Sequence, residues 1–278
     1  MIWLIRIIAG FAMLIITGCS TLKEDKILSP SLFNLEEIAP HIYVSDDMTD
    51  PVRLKLLKSI KQAKRQVSEI YGSCISVPTI YAFSNHEKFL VFNGMNDGSA
   101  NGLLGLFGII LVPENVIPET LAHEWSRIEL MTRIAPSSQD MVPRWFEEGL
   151  AVIASNLPQH SENVWRQIVN DNLPYPGLDE LETMEQWVDA NTTTEYKNPK
   201  GLNIVYTTAG HEVRAWYKYA GQSGLLKLIN AMQSGEKFHN IYKSLSTKNY
   251  FCNHRKYSRR FISTCLLEMF CACGSFIY

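Results

Sequence analysis

Apolar residues recur every three or four positions after residue 50, which is the spacing of one face of an α-helix. Asp50 followed by Pro51 is typical of a helix start, and Gly72 is typical of a helix end. The pattern therefore predicts an amphipathic helix between these signals. Its apolar positions are Leu54, Leu57, Ile60, Ala63, Val67 and Ile70.

The other side of this predicted helix is rich in lysine and arginine. Such a face could contact anionic lipid, but more often it is simply solvated. The sequence favours the solvated interpretation and leaves the lipid-binding one open. The basic residues are Arg53, Lys55, Lys58, Lys61, Lys64 and Arg65.

Two short segments rich in β-branched residues, 77–83 and 108–112, are bounded by helix-breaking residues and predict strands. The glycine- and asparagine-rich stretch 93–105 between them predicts a loop. Helical patterns follow at 116–132, at 144–155 and across 203–245, with a polar loop predicted around 174–199. This order predicts an α+β fold, in which a small mixed β-sheet precedes a helix-rich region.

Composition limits the classes of protein that fit the chain. It has 278 residues, 46% of them hydrophobic, and a formal net charge of -2. This is enough for one good-sized core, which we place at residues 49–245. The absence of a net positive charge argues against a nucleic-acid partner.

The first 18 residues have a short cationic start and an apolar run, 7–16, that is too brief to span a bilayer comfortably. The sequence Ile-Thr-Gly-Cys-Ser around Cys19 resembles the lipobox of bacterial lipoproteins. The resemblance implies a signal peptide over 1–18, acylation of Cys19 and a polar tether over 19–48 with little structure up to about residue 40. An uncleaved membrane anchor is the alternative.

If the lipobox resemblance holds, the protein is attached to the membrane through its N-terminal lipid in the envelope of a Gram-negative bacterium. Ser20 after the cysteine resembles the signal for sorting to the outer membrane, facing the periplasm. At the other end, residues 246–278 form an atypical tail that holds four of the six cysteines. A small metal or disulfide site there is less consistent with the cysteine spacing than a poorly folded extension.

The chemistry-bearing segment is 120–127, Thr-Leu-Ala-His-Glu-Trp-Ser-Arg. In the zinc-binding pattern His-Glu-x-x-His, two histidines four positions apart lie on one helix face and hold one metal ion. His123 and Glu124 match that pattern. Arg127 stands where the second histidine is needed.

A second segment, 143–151, reads Pro-Arg-Trp-Phe-Glu-Glu-Gly-Leu-Ala. Together the two segments resemble the gluzincin metallopeptidases, whose third zinc ligand is a glutamate in a Trp-x-x-Glu-Gly-Leu/Phe-Ala phrase on the next helix. The resemblance implies His123 and Glu148 as zinc ligands and Glu124 as the general base that activates a zinc-bound water. The substrate would then be a peptide or protein.

Gluzincins often supply a tyrosine or histidine from a later helix to stabilise the oxyanion, and Tyr206 is the best-placed candidate here. A structural role for Tyr206 is the alternative. His211 could donate a proton or be an ordinary helix histidine. Asp140 could orient a ligand histidine, but a loop aspartate is more often a turn or cap residue.

Arg127 makes zinc occupancy doubtful, because a guanidinium group has only donors and does not deprotonate at accessible pH. Without metal, the same arginine could bridge Glu124 and Glu148. Three hypotheses remain: a membrane-anchored zinc metallopeptidase, an inactive peptidase-like lipoprotein that binds peptides or envelope partners, and a structural envelope lipoprotein.

Overall fold

The computed structural model describes residues 34–93, 101–104, 108–134, 138, 142–194, 196 and 201–246. The chain divides into two compact units, Met1–Ser59 with Val77–Ile117 and Ile60–Ser76 with Pro118–Tyr278. The predicted signal peptide, Cys19, Asp140 and most of the 246–278 tail lie outside the described residues. The α+β fold expected from the sequence is confirmed.

The first unit contains a five-stranded mixed sheet in the order β1-β2-β3-β5-β4. Strands β2, β3 and β5 run parallel to one another, and β1 and β4 pair antiparallel at the edges. A short helix, α2 (His86–Asn93), follows β3. The strands are β1 (Leu35–Ala39), β2 (Ile42–Ser45), β3 (Thr79–Ala82), β4 (Asn101–Leu104) and β5 (Gly108–Leu111).

Three of these strands correct the prediction from sequence. Residues 35–45, expected to lie in a tether with little structure up to about residue 40, form the β1–β2 hairpin instead. The hairpin turns at His41, which has a positive φ of 64°, and buries Val44 completely. Strand β4 lies in the stretch predicted as a loop. Its pairing with β5 stabilises it despite a glycine-containing sequence that disfavours strands.

Helix α1 (Asp50–Tyr71) is amphipathic, as predicted. Its buried stripe runs through Leu56, Ala63 and Val67, all fully inaccessible. Leu54 was expected on this stripe but is 58% exposed. The reason is geometric: Leu54 and Leu56 are two positions apart, so they point to nearly opposite sides of the helix.

The second unit is built mainly of helices. Two helices of this unit were not predicted from sequence. Helix α5 lies in a segment without a predicted element, and α6 lies where a polar loop was expected, around 174–199. Thr183 caps α6 by accepting a hydrogen bond from Gln186 N, and the Gln186 side chain accepts from Thr183 N. The helices are α3 (Pro118–Arg133), α4 (Arg144–Ser155), α5 (Glu162–Asn170), α6 (Met184–Thr192), α7 (Ile204–Gln233) and α8 (Phe238–Leu245).

Helix α4 lies at the centre of the second unit and packs against both α3 and α7. Its aromatic residues Trp145 and Phe146 make edge contacts with Phe238 of α8, at ring-centroid distances of 5.9 and 4.9 Å. This core holds the first turn of α4 in place. In the described part of the chain, no helix combines the length and apolar character needed to cross a membrane.

Candidate functional site

Helix α3 presents three of the residues singled out in the sequence. His123, Glu124 and Arg127 all lie on its middle turns, where most side chains are buried. The side chain of Glu124 is 7% exposed and that of Arg127 is 14% exposed. The group therefore sits just below the protein surface, where ion pairs are screened less than on an open surface.

Helix α4 presents the second group of charged residues, Arg144, Glu147 and Glu148. The helix begins with no side-chain cap, and its first free N–H groups, of Arg144 and Trp145, donate to the carbonyls of Glu182 and Leu181. Glu147 lies in the first turn and Glu148 follows it directly. Negative charge near a helix N-terminus is favoured by the helix dipole.

Gly149 allows α4 to approach α7 closely. A Cβ atom at this position would lie 2.6 Å from the carbonyl oxygen of Ala209 and 2.4 Å from Val213. Gly210 serves the opposite side of the contact, because a Cβ there would meet Val152 at 2.3 Å. The glycine after Glu148 thus has a packing reason that is independent of any catalytic role.

His123 and Glu148 contact each other directly. The distance from His123 Nε2 to Glu148 Oε2 is 3.1 Å, and both residues are buried. The two residues that the gluzincin resemblance implies as zinc ligands therefore lie together on neighbouring helices. Here they bind each other.

Arg127 binds three carboxylates at once. Its Nη1 donates to Glu124 Oε2 at 3.0 Å, and its Nε donates to Glu147 Oε1 at 2.8 Å. The same Nε lies 3.5 Å from Glu148 Oε1. Burial alone would lower the pKa of Arg127, but the three carboxylates raise it, so the guanidinium group stays charged.

Arg144 closes the network from the other side. Its Nη1 donates to Glu147 Oε2 at 2.7 Å, and its Nη2 lies 2.5 Å from Glu148 Oε1. Burial alone would raise the pKa of Glu148, but Arg127, the hydrogen bond from His123 and Arg144 hold it well below its usual range. Glu148 therefore remains a carboxylate between two cations.

Tyr206 of α7 lies beside this network. Its ring centroid is 5.9 Å from that of His123, and its ring stacks on His160 at 5.5 Å. Trp187 makes an edge contact with it at 4.9 Å. Tyr206 is thus brought to the site by three aromatic neighbours, two of which, His160 and Trp187, were not singled out in the sequence.

His160 is a buried neutral histidine. Burial, with the charges of His123 and Arg214, lowers its pKa to about 4. Its Nδ1 has no hydrogen-bond partner among the described residues. The contacts of the described residues give this nitrogen no chemical role.

The residues present do not fit a zinc ion. Zinc sites in peptidases use three protein ligands and leave one position for water. Here the resemblance implies only His123 and Glu148 as ligands, and Glu148 Oε1 faces both Arg127 and Arg144. Among the described residues, no three histidine, cysteine, aspartate or glutamate side chains converge where they could hold a metal ion.

His211 lies in a second cluster formed with α5. Its Nδ1 is 3.0 Å from Glu162 Oε1, and its ring stacks on Trp165 at 4.3 Å. Arg214 donates to the same Glu162 oxygen at 2.9 Å. These contacts give His211 a structural setting. Its suggested role as a proton donor stays a hypothesis.

Sequence patterns did not single out Arg144 and Glu147, although one signal was present. Arg144 and Glu148 are four positions apart on a predicted helix, the spacing at which opposite charges meet. The partnership of Arg127 with Glu147 had no such signal, because it joins two helices.

The comparisons with known proteins do not identify a family for this chain. The chain matches none of the protein-family models against which it was compared, and it matches none of the curated proteins.

Proposed function

We propose that this chain is a peptidase-like protein without peptidase activity, which binds a peptide or protein partner at the cell envelope. The observation that carries the proposal is the set of contacts made by Arg127 with Glu124, Glu147 and Glu148. A guanidinium group binds these carboxylates where the resembling enzymes hold a metal ion. No step of the proposed function passes through a metal.

The state of Glu124 supports the loss of catalysis. In the mechanism that the gluzincin resemblance implies, this carboxylate must be free to take a proton from the attacking water. Here its Oε2 accepts a hydrogen bond from Arg127 Nη1. The hydrogen bond with Arg127 therefore occupies one of the two oxygens that would have to accept that proton.

Binding is supported by donors that the network leaves unused. Arg127 Nη2 makes no hydrogen bond with any described residue, and it is not fully buried. It can therefore donate to a ligand. A neutral acceptor such as a peptide carbonyl fits this position better than a carboxylate, because three glutamates already surround the guanidinium group.

Tyr206 supports the same ligand class. Its hydroxyl group makes no hydrogen bond with any described residue and is not fully buried, so the phenolic hydrogen remains available. Burial and the carboxylates of Glu148 and Glu124 raise the pKa of Tyr206, which keeps this hydrogen in place at neutral pH. Tyr206 and Arg127 would thus offer two donors to peptide carbonyl groups.

The envelope location rests on the sequence around Cys19, which resembles a lipobox. We propose that acylation of Cys19 anchors the protein to the outer membrane on its periplasmic side. Labelling of cells with a palmitate analogue tests this. Persistence of the label in Cys19→Ala would show that the anchor lies elsewhere.

A second candidate function is a working zinc metallopeptidase. The specific observation in its favour is the 3.1 Å contact between His123 Nε2 and Glu148 Oε2, which keeps two of the implied ligands together. For this function Arg127 would have to leave its three carboxylates when zinc binds. The cost of breaking buried ion pairs, about 3–5 kcal/mol, opposes that movement.

Zinc content and cleavage of fluorescein-labelled casein separate the two candidates. We expect wild-type protein to contain no stoichiometric zinc, to bind casein in an anisotropy assay and to leave it uncleaved. Arg127→His should gain zinc, because it restores the missing imidazole. Arg133→His is the matched control: it removes an arginine from the same helix that pairs with Glu129 instead.

Zinc-dependent casein cleavage by the wild-type protein would establish the metallopeptidase and reject the inactive binding protein. The binding role has its own test in Tyr206→Phe, which removes only the hydroxyl group. We expect casein affinity to fall by roughly 2- to 10-fold, the value of one hydrogen bond. Tyr219→Phe, on the exposed side of the same helix, is the control and should leave affinity unchanged.

A further inference from the structure

Helix α1 carries a dense group of exposed cations on its solvent side. We call this group the cationic face of α1. Leu54, which is 58% exposed, lies next to it at the N-terminal end of the helix. The members of the face are Lys55, Lys58, Lys61, Lys64 and Arg65, all exposed.

The spacing of these residues places them on one surface. Lys58, Lys61 and Arg65 follow the i, i+3, i+7 pattern of a single helix stripe, with Lys55 and Lys64 beside it. From Lys55 to Arg65 the helix rises about 15 Å. Five cations therefore share a strip only a few turns long.

The charge of this strip is largely uncompensated. None of its four lysines forms an ion pair with any residue that the structure describes. Arg65 Nε lies 3.7 Å from Glu69 Oε1, and both side chains are about 70% exposed, so this pair is weak. The chain as a whole has a net charge of -2, so the strip is a local concentration of positive charge.

We propose that the cationic face of α1 binds the anionic headgroups of a phospholipid membrane. Charge complementarity selects this partner, because clustered lysine and arginine side chains near a membrane are attracted by its negative surface potential. Exposed Leu54 can enter the interfacial region beside the headgroups. The proposal does not depend on the chemistry of the Arg127 network.

The length of chain before the sheet places the face within reach of the membrane that the proposed anchor would occupy. Fourteen residues, 20–33, separate Cys19 from Asn34, the first described residue. Even fully extended, they span at most about 50 Å. Attachment at Cys19 would raise the local concentration of the headgroups around α1, so that a weak electrostatic contact becomes effective.

Lysine protection on vesicles tests the proposal. Full-length protein is reconstituted into vesicles of phosphatidylcholine alone or with added phosphatidylglycerol, and flotation isolates the membrane-associated molecules whatever their anchor. Limited amine acylation is then measured residue by residue by mass spectrometry. We expect Lys58 and Lys61 to react about fivefold or more slowly on the anionic vesicles, and to recover in high salt. Exposed Lys218 and Lys227 should not change.

A variant with a matched control extends the test. Lys58→Gln, Lys61→Gln and Arg65→Gln together should abolish the protection of Lys55 and Lys64, the lysines that remain on the face. The control removes the same charge elsewhere, through Lys218→Gln, Lys227→Gln and Lys237→Gln, and should keep the protection.

Equal acylation of Lys58 and Lys61 on neutral and anionic vesicles would overturn the proposal. Equal protection by inorganic phosphate, added to neutral vesicles, would also overturn it, because the face would then bind free anions and not a membrane surface. Because flotation selects bound molecules, a failure of the Cys19 anchor would appear as poor recovery. The salt sensitivity of the Lys58 and Lys61 protection on the anionic vesicles would then still test the proposal.

Discussion

Arg127 and Glu147 are joined by a hydrogen bond of 2.8 Å that links α3 to α4. Glu147 was not among the residues that the gluzincin resemblance implied, yet it makes the shortest contact of the guanidinium group. The carboxylate thus gives Arg127 a stabilising role of its own. That role can be measured without any knowledge of the ligand.

Removal of Arg127 should destabilise the fold strongly. Arg127→Ala would leave Glu124, Glu147 and Glu148 buried with Arg144 as the remaining cation of the network. Breaking buried ion pairs in this way costs about 3–5 kcal/mol, because the remaining charges lose their compensation. Urea denaturation followed by circular dichroism gives the free energy of unfolding.

The control for this measurement is Arg166→Ala, which removes an exposed arginine of α5. We expect a change within about 0.5 kcal/mol for that variant. A similarly small change for Arg127→Ala would mean that the network contributes little to stability. The case for an arginine that replaces the metal would then be lost.

Gly149→Ala should also destabilise the protein, but through packing. The new Cβ would lie 2.6 Å from the carbonyl oxygen of Ala209, a backbone atom that can move only with its helix. Overpacking of this kind costs about 1–3 kcal/mol. Thermal unfolding of the variant, compared with Ser223→Ala on the exposed side of α7, measures the effect. An unchanged melting temperature would show that α4 and α7 approach less closely than we describe.

Helices α1, α3 and α4 were predictable from sequence because their signals are local, whereas α2, α5 and α6 were not predicted. Asp50 and Pro51 begin α1, and apolar residues at helical spacing run along it. The strands of the β1–β2 hairpin were not predicted, since Glu36 and Glu37 break up any apolar pattern along Leu35–Ala39. Their stability comes from pairing, which a local pattern does not report.

Some features of the candidate site were likewise predictable from sequence, and others were not. The sequence placed His123 and Glu148 on consecutive helices and suggested that Arg127 bridges Glu124 and Glu148. The closest partner of Arg127, Glu147, and the aromatic neighbours of Tyr206 depend on how α3, α4, α6 and α7 pack. No periodicity along the chain carries that information.

Glu129 provides a stabilising contact outside the site. Its fully buried carboxylate accepts hydrogen bonds from the backbone N–H groups of Ile75 and Ser76, at 3.0 and 2.9 Å. It also pairs with Arg133 at 2.7 Å. Glu129→Ala would leave these donors without their acceptor, and we expect a loss of about 3–5 kcal/mol in the free energy of unfolding.

Chemical denaturation of Glu129→Ala and of Glu185→Ala tests this expectation. Glu185 is exposed on α6 and forms no ion pair with a described residue, so its removal should change stability by less than about 0.5 kcal/mol. Comparable, small effects of both substitutions would show that the segment around Ile75 does not depend on the Glu129 carboxylate.

The contribution of Glu162 should depend on pH in a defined direction. Burial alone would raise its pKa, but the hydrogen bond from His211 and the charge of Arg214 lower it to about 2, from an ordinary value of 4.5. A depressed pKa means that the native state favours the carboxylate. The stabilisation is therefore fully present above about pH 4.5 and is lost as the pH falls towards about 2.

Glu162→Gln removes this titration while keeping the size of the side chain. The difference in the free energy of unfolding between wild type and variant should shrink as the pH falls from about 4.5 towards about 2. Other carboxylates titrate in both proteins, so they cancel in the comparison. Glu185→Gln serves as the control, because its carboxylate has no ion-pair partner among the described residues. A difference for Glu162→Gln that stays constant or grows in acid would show that His211 and Arg214 do not hold this carboxylate ionised.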